Sequence, residues 1–452
     1  MQVFDTSDIR LDPASLQIYA KDWTTYYQPK ASAVVFPRES AQIEDLVRLC
    51  QKNRWKLVPS GGRTGLSGGA VAKDAEIVLS FEKMNKILDF YEGDAQIRCQ
   101  AGVVTQVIQD FASEKGLFYP VDFSSSGSSM IGGNIATNAG GIRVLKYGNT
   151  RNWVTGLEVV TGQPKRLQLN NGLLKNATGY DFRHLFIGSE GSLGAITEAQ
   201  LQLTRRPLSQ TVALLAVASW EDILEIFKLA KKSIDLSAFE VISELAIEKL
   251  CSASKIPKPL QTNPKLYLLM ETESYQSEST PALESFLDEI LTHELASDGS
   301  LSQNSQQAAE LWSYRENISE SLAPYKPYKN DVAVRPSQIP SFVRDLEQLV
   351  KERYGGLEVV WFGHVGDGNL HVNILKPDSY SIEEFVELCR KLDSEHFKII
   401  SKYRGSISAE HGVGLSKRDF LHFSRSSEEI QYMREIKKIF DPFEIFNPGK
   451  IF

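Results

Sequence analysis

The sequence predicts an α+β protein of two or three domains whose second half is built on an antiparallel sheet. Three observations carry that prediction. At 452 residues the chain is too long for one compact core. Its glycines crowd between Gly61 and Gly194, thin out, and return between Gly355 and Gly414. Beyond Arg205-Arg206-Pro207, strand candidates alternate with long amphipathic helices and no glycine-rich crossover loops join them, the pattern of an antiparallel sheet covered on one face.

The elements follow in order. Residues 41–52 have helical spacing, with Ile43, Leu46, Val47 and Cys50 on one face, and 55–59 read as a short strand entering a glycine loop. A second helix fits 104–114, with Val107, Ile108 and Phe111 as its buried stripe; hydrophobic strands at 76–80 and 157–160 make this part mixed α and β. After the boundary come strand candidates at 211–217, 266–273 and 358–362, and helices at 219–232, 280–292, 306–322 and 339–354. The tail holds one more helix, 427–440, and ends in DPFEIFNPGKIF. The expected division is 1–206, 207–405 and a C-terminal segment 406–452 that caps the fold with its helix.

Composition removes several functions. A formal net charge of −7 argues against general nucleic-acid binding, which needs a basic footprint to displace counterions. Cys50, Cys99, Cys251 and Cys389 lie far apart with no CxxC pair, as expected of reduced thiols. No signal-peptide pattern opens the chain and no run of 18 apolar residues occurs, so a cytoplasmic protein without a transmembrane segment is expected.

Three glycine-rich loops carry the first chemistry: 59–69 (PSGGRTGLSGG), 124–134 (SSSGSSMIGGN) with 136–141 (ATNAGG), and 188–194 (GSEGSLG). Glycine lets backbone N–H groups approach and point at a phosphate, and Ser, Thr and Asn add donors. None of the loops has the G-x-G-x-x-G order of a Rossmann site or the GK[ST] end of a P-loop. The cradle suits a dinucleotide-sized anion in another fold.

The second chemistry lies in two histidine strings, GHVGDGNLHVN at 363–373 and SAEHGVG at 408–414. Asp367-Gly368 is a two-residue hairpin signal, and such a turn would set His364 opposite His371 on one face. Two imidazoles so placed could share a metal ion, and Glu410 would complete a two-His, one-carboxylate set with an open position. Glu410 and His411 are adjacent, so one as ligand and the other as base needs a bend, which Gly412 and Gly414 make easy. Imidazole with carboxylate suits zinc, manganese or iron, with zinc favoured.

In order and spacing, the three loops resemble the FAD domain of the vanillyl-alcohol oxidase and p-cresol methylhydroxylase superfamily. The resemblance continues into the C-terminal half and narrows to the D-2-hydroxy-acid dehydrogenases, which include D-2-hydroxyglutarate, D-lactate and glycolate dehydrogenases. It implies a two-subdomain p-cresol methylhydroxylase-type FAD-binding domain. Ser60, Gly61, Gly62, Arg63, Thr64 and Gly65 would wrap the FAD pyrophosphate. Gly127, Ser128, Gly132, Gly133, Asn134 and Asn138 would hold the ribityl–phosphate region, with Glu190, Gly191 and Ile196 nearer the adenine end. Members with covalent FAD use a His or Cys in the first loop or a partner side chain; the first loop here has neither, so the resemblance implies a dissociable flavin.

The resemblance also implies metal ligation by His364, His371 and Glu410, substrate contact by Asn373, and His411 as general base. Arg315, Ser319 and Lys329 match the residues that hold the remote carboxylate in D-2-hydroxyglutarate dehydrogenases, with Ser replacing Thr. The expected reaction is oxidation of D-2-hydroxyglutarate to 2-oxoglutarate, with D-lactate or glycolate as alternative substrates and a flavin electron-transfer subunit as the alternative role. The acceptor would be an electron-transfer flavoprotein or a quinone, and a homodimer is expected.

Overall fold

The computed structural model describes residues 3–24, 27–275 and 281–452. Residue 280, the expected start of one helix, lies outside the described residues; that helix is described from Pro281 to Thr292. The chain forms two compact units. One comprises the chain up to Gly141 with Gly148–Arg206 and Glu410–Phe452; the other comprises Ile142–Tyr147 with Pro207–Ala409.

The first unit carries two sheets. In the smaller, Ala31–Val35, Glu76–Ser80 and Leu57–Ser60 run parallel, and Ile9–Arg10 adds an antiparallel edge. The helix Ser40–Asn53 buries Ile43, Leu46, Val47 and Cys50, the stripe its sequence spacing predicts. The larger sheet is antiparallel, in the order Ile87–Tyr91, Gln96–Gln100, Gly194–Gln202, Val154–Thr161, Arg166–Leu169. In the helix Thr105–Glu114, Ile108 and Ala112 are buried, while Val107, expected in the stripe, is 48% exposed. The tail belongs to this unit. Lys437, on the helix Ser427–Phe440, donates to Ser192 O and Phe446 O, and Leu57 N–H donates to Ile445 O.

The second unit is a seven-stranded antiparallel sheet: β1 Ser209–Val217, β2 Leu236–Ser243, β3 Leu266–Ser274, β4 Asp298–Leu301, β5 Tyr328–Ala333, β6 Val359–Gly363 and β7 Asn369–Ile374, in the order β4-β1-β3-β2-β6-β7-β5. Helices cover both faces, not one. Phe362, Ile242 and Leu269 pack with Ala246, Leu311 and Trp312 on one side. Their strand neighbours turn the other way: Trp361 meets Trp220 and Phe342, and Phe239 meets Phe227. The cause is visible in β3, where Leu266-Tyr-Leu-Leu-Met270 is a continuous apolar run that needs burial on two sides. The expected helix 306–322 is broken at Asn317 into Ser305–Glu316 and Ile318–Ser321.

Candidate active site

In the first unit the three glycine loops converge. A Cβ on Gly62 would lie 2.1 Å from Ser128 O, so only glycine lets the first loop lie against the second. The third loop joins the second through Gly188 N–H to Ile135 O (3.0 Å) and Glu190 N–H to Ala136 O (2.7 Å). A Cβ on Gly127 or Gly133 would meet nothing within 4 Å, so both border open space. The Ser60 hydroxyl is buried and has no hydrogen-bond partner among the described residues. A buried hydroxyl without a partner beside a glycine-lined opening fits a phosphate-bearing cofactor.

Other cradle side chains are occupied. Arg63 reaches Glu82 (3.1 Å) and lies over the Tyr19 ring. Asn134 donates to Thr105 Oγ1 (2.6 Å), Asn138 Oδ1 accepts from Arg151 N–H (3.0 Å), and Ile196 is buried on its strand. Thr64 and Gly132 lie along the same loops; Gly132 packs on Ala101, where a Cβ would be 2.6 Å away. Gly61 faces Met130, Gly65 O accepts from Trp23 N–H (3.0 Å), Ser128 caps its own loop, and Gly191 sits at φ +69° against Pro59.

The Glu-His segment is also part of the first unit. Ser67 Oγ donates to His411 O (2.8 Å), and the N–H groups of Val413 and Gly414 donate to the two Glu190 carboxylate oxygens (2.7 and 2.8 Å). Gly412 and Gly414, at φ +79° and +49°, supply the bend the adjacent pair requires. Glu410 Oε1 lies 3.7 Å from His411 Nε2, and both side chains are half-buried. Burial raises the Glu190 carboxyl pKa, against the lowering pull of the two N–H groups.

In the second unit one sheet face gathers the polar residues. Register pairs Lys329 with Asn373 and Asp331 with His371 across β5 and β7, and Phe362 with His371 across β6 and β7. Opposed residues share a face. The hairpin is longer than the sequence predicts: Phe362, not His364, opposes His371, and the N–H groups of Asp367, Gly368 and Asn369 all turn onto His364 O. Gly368 is needed there, since a Cβ would lie 1.9 Å from Val334 O. The slip is two residues, so the alternation keeps its face, and the His364 and His371 ring centroids are still 5.5 Å apart.

Two carboxylates unforeseen in the sequence organise these rings. Glu240 on β2 holds His364 Nδ1 (2.7 Å) with one oxygen and Arg315 Nε (2.7 Å) with the other. Burial would raise the Glu240 pKa, but His364 and Arg315 outweigh it and hold the carboxyl below its ordinary value. Asp331 lies 3.8 Å from His371 Nδ1 through Oδ1, which also accepts from Asn369 Nδ2 (2.8 Å); its Oδ2 accepts from Ala409 N–H (3.0 Å). One signal was available for each. Glu240 is a lone acid inside an apolar strand, and Asp331 shares the alternation of Lys329.

Arg315 is buried over the Phe362 ring, and its two terminal nitrogens have no hydrogen-bond partner among the described residues. Lys329 is exposed and has no ion-pair partner among the described residues, and desolvation by its surroundings pushes its pKa down. Asn373 is buried and pairs with Lys329 in register. Ser319 is exposed on the short helix after Asn317, separate from the helix of Arg315.

Residues 31–170 match the model of the FAD binding domain, and 206–451 match that of the C-terminal domain of FAD linked oxidases. The D-2-hydroxyglutarate dehydrogenase of Stutzerimonas stutzeri is 48% identical over 98% of this chain and 95% of its own length. That of Xanthomonas citri pv. viticola is 45% identical over 98% and 94%. The chain belongs to the FAD-linked oxidases, in their D-2-hydroxy-acid dehydrogenase branch. At 15% identity, p-cresol methylhydroxylase superposes with a TM-score of 0.77 over 99% of this chain and 94% of its own, which shows a shared fold. The dehydrogenase is thus a flavoprotein, and the glycine loops lie in its FAD-binding half. No helix among the described residues is long and apolar enough to cross a membrane.

Proposed function

We propose that this dehydrogenase oxidises D-2-hydroxyglutarate to 2-oxoglutarate at a divalent metal held by His364, His371 and Glu410, with His411 as general base. The observation that carries the reading is the polar face of the second unit. There Lys329, which has no ion-pair partner among the described residues, and the outer edge of Arg315, whose Nε is paired with Glu240, lie on the face of a histidine pair oriented by buried carboxylates. The names of the bacterial relatives agree with a dicarboxylate substrate.

The donor set fits a metal. His364 gives Nδ1 to a carboxylate, as metal-bound imidazoles do, leaving Nε2 as the ligating atom. Asp331, whose oxygens accept from Asn369 Nδ2 and Ala409 N–H, would orient His371. Zinc is favoured, with manganese or iron as alternatives. A metal here would supply Lewis acidity to the C2 hydroxyl and its neighbouring carboxylate. FAD, cradled by Ser60–Gly65, Gly127–Asn134, Asn138 and the loop Glu190–Gly191 up to Ile196, supplies the two-electron acceptor, non-covalently because the first loop has no His or Cys.

The chain's own residues do the rest. Arg315 and Lys329 hold the remote carboxylate, and Asn373, opposite Lys329 in register, contacts the substrate. Ser319 would join them only if its helix turns inward, so it is the weakest member of the set. His411 takes the C2 hydroxyl proton on a ring nitrogen, the work an imidazole does in general-base catalysis. Reoxidation falls to an electron-transfer flavoprotein or a quinone. The four cysteines are unpaired, which suits a cytoplasmic location.

Anaerobic bleaching of the flavin across a panel of D- and L-hydroxy acids tests the reading. D-2-hydroxyglutarate should reduce it fastest, and a chelator should stop reduction while the flavin stays bound. Fast bleaching by metal-stripped protein would remove the metal from the proposal.

A further inference from the structure

Glu190 stands out on the resemblance's list of flavin contacts because its side chain faces the chain itself. Its two carboxylate oxygens accept the N–H groups of Val413 and Gly414 at 2.7 and 2.8 Å. Consecutive N–H groups point to one side here because Gly412 and Gly414 adopt positive φ, the arrangement that makes a backbone concavity for an anion. The anion in this concavity is a side chain of the third cradle loop. The fit is close: a Cβ on Gly412 would come within 2.9 Å of the Glu190 carboxyl carbon.

The rest of Glu190 is tied to the cradle. Its N–H donates to Ala136 O in the second loop (2.7 Å), and its C=O accepts from Asn447 Nδ2 (2.6 Å). It holds φ +51°, a region that non-glycine residues rarely occupy and that persists where neighbours over-determine it. On the other side, Ser67 in the first loop donates to His411 O and accepts from Leu415 and Ser416 N–H. The loop carrying His411 is thus clamped by the first and third cradle loops at once.

We propose that Glu190 is a positioning residue, one that sets the His411 imidazole from the flavin cradle and so couples the fit of the cofactor to the placement of the base. Charge-assisted bonds donated by the Val413 and Gly414 N–H groups to the Glu190 carboxylate fix the residues two and three positions after His411. Loss of those bonds leaves two N–H groups without acceptors and lets the bend at Gly412 relax. The inference rests on reading His411 as the base.

The test compares Glu190→Ala and Glu190→Gln holoenzymes in anaerobic single-turnover reduction by D-2-hydroxyglutarate. A base displaced by about 1 Å costs about 10²-fold, so Glu190→Ala should lose roughly that in the reduction rate, with KM and FAD content near wild type. Glu190→Gln keeps one acceptor and should recover most of the loss. Wild-type reduction by Glu190→Ala, or release of FAD with an unchanged rate in the fraction still loaded, overturns the proposal. If Glu190→Ala does not fold, Glu190→Gln decides on the same readings: a several-fold lower rate at unchanged KM supports it, and an unchanged rate overturns it.

Hydrogen exchange separates this inference from the one beneath it. Both Glu190 variants should speed exchange of the Val413 and Gly414 amides, and unaltered exchange means that Glu190 clamps nothing. Wild-type reduction by His411→Ala would instead sink the assignment of the base, whatever the Glu190 variants do.

Discussion

The flavin cradle and the acid–histidine face solve the same problem, holding charge inside a protein, by opposite means. The cradle uses main chain. Its loops approach one another where a Cβ cannot fit, as at Gly62, and the small Ser60 hydroxyl is buried in it without a partner among the described residues. The face of the second unit uses side chains in matched pairs: Glu240 with Arg315 and His364, Asp331 with Asn369 and His371. A main-chain site spreads recognition over many donors, so most side-chain substitutions in it cost little. A side-chain site concentrates function, because removing one partner of a buried pair leaves the other uncompensated.

The largest effect should therefore come from a single imidazole. His411→Ala is expected to lower the reduction rate by about 10²–10⁴-fold, the usual share of a positioned base, while metal and FAD stay bound. His371→Ala should instead lose the metal, measured by metal analysis of the purified protein. If His411→Ala loses the metal and His371→Ala keeps it, ligand and base have been exchanged in the proposal.

The same contrast explains what the sequence makes legible. Glycine loops announce themselves, since a glycine such as Gly62 marks a close backbone approach that no other residue allows, and the glycine clusters are readable from spacing alone. Side-chain partnerships are made across the fold. Glu240 and His364 are 124 positions apart and meet only because β2 and β6 are neighbours. The histidine pair was readable for a subtler reason: a two-residue slip in the hairpin preserves the face, where a one-residue slip would have reversed it. The second helical layer was hidden because apolar runs such as 266–270 carry no alternation. Ser381 and Glu384 do form a capping box ahead of the helix Ile382–Lys402, a signature present in the sequence. Nothing local ties the tail to the first unit; that depends on Asp441 and Lys437 meeting main chain around Phe446 and Ser192.

A middle-sized effect should follow from Lys329, which stands at the rim of the side-chain site. A hydrogen bond to a charged group is worth about 1.5–3 kcal/mol, so Lys329→Met should lower kcat/KM for D-2-hydroxyglutarate roughly ten- to hundred-fold. D-Lactate, with no second carboxylate, should be almost unaffected. Equal losses for both substrates would leave a general D-2-hydroxy-acid dehydrogenase and remove the dicarboxylate from the proposal.

The smallest effect should come from the cradle, and its sign should depend on the cofactor. The Ser60 hydroxyl is buried without a partner among the described residues, and leaving such a group unpaired costs about 1–3 kcal/mol. Ser60→Ala removes that cost from the apoprotein, so its melting temperature should hold or rise despite the small void the lost oxygen leaves. In the holoprotein the same change deletes one hydrogen bond to the cofactor, whose net worth is about 0.5–1.5 kcal/mol, and FAD affinity should fall roughly two- to tenfold. Flavin fluorescence during titration of apoprotein with FAD reads the affinity, and thermal unfolding of the two apoproteins reads the stability. A lower apoprotein melting temperature together with unchanged affinity would mean that the hydroxyl serves the fold. The Ser60 hydroxyl would then be no part of the contrast between a main-chain cradle and a side-chain face.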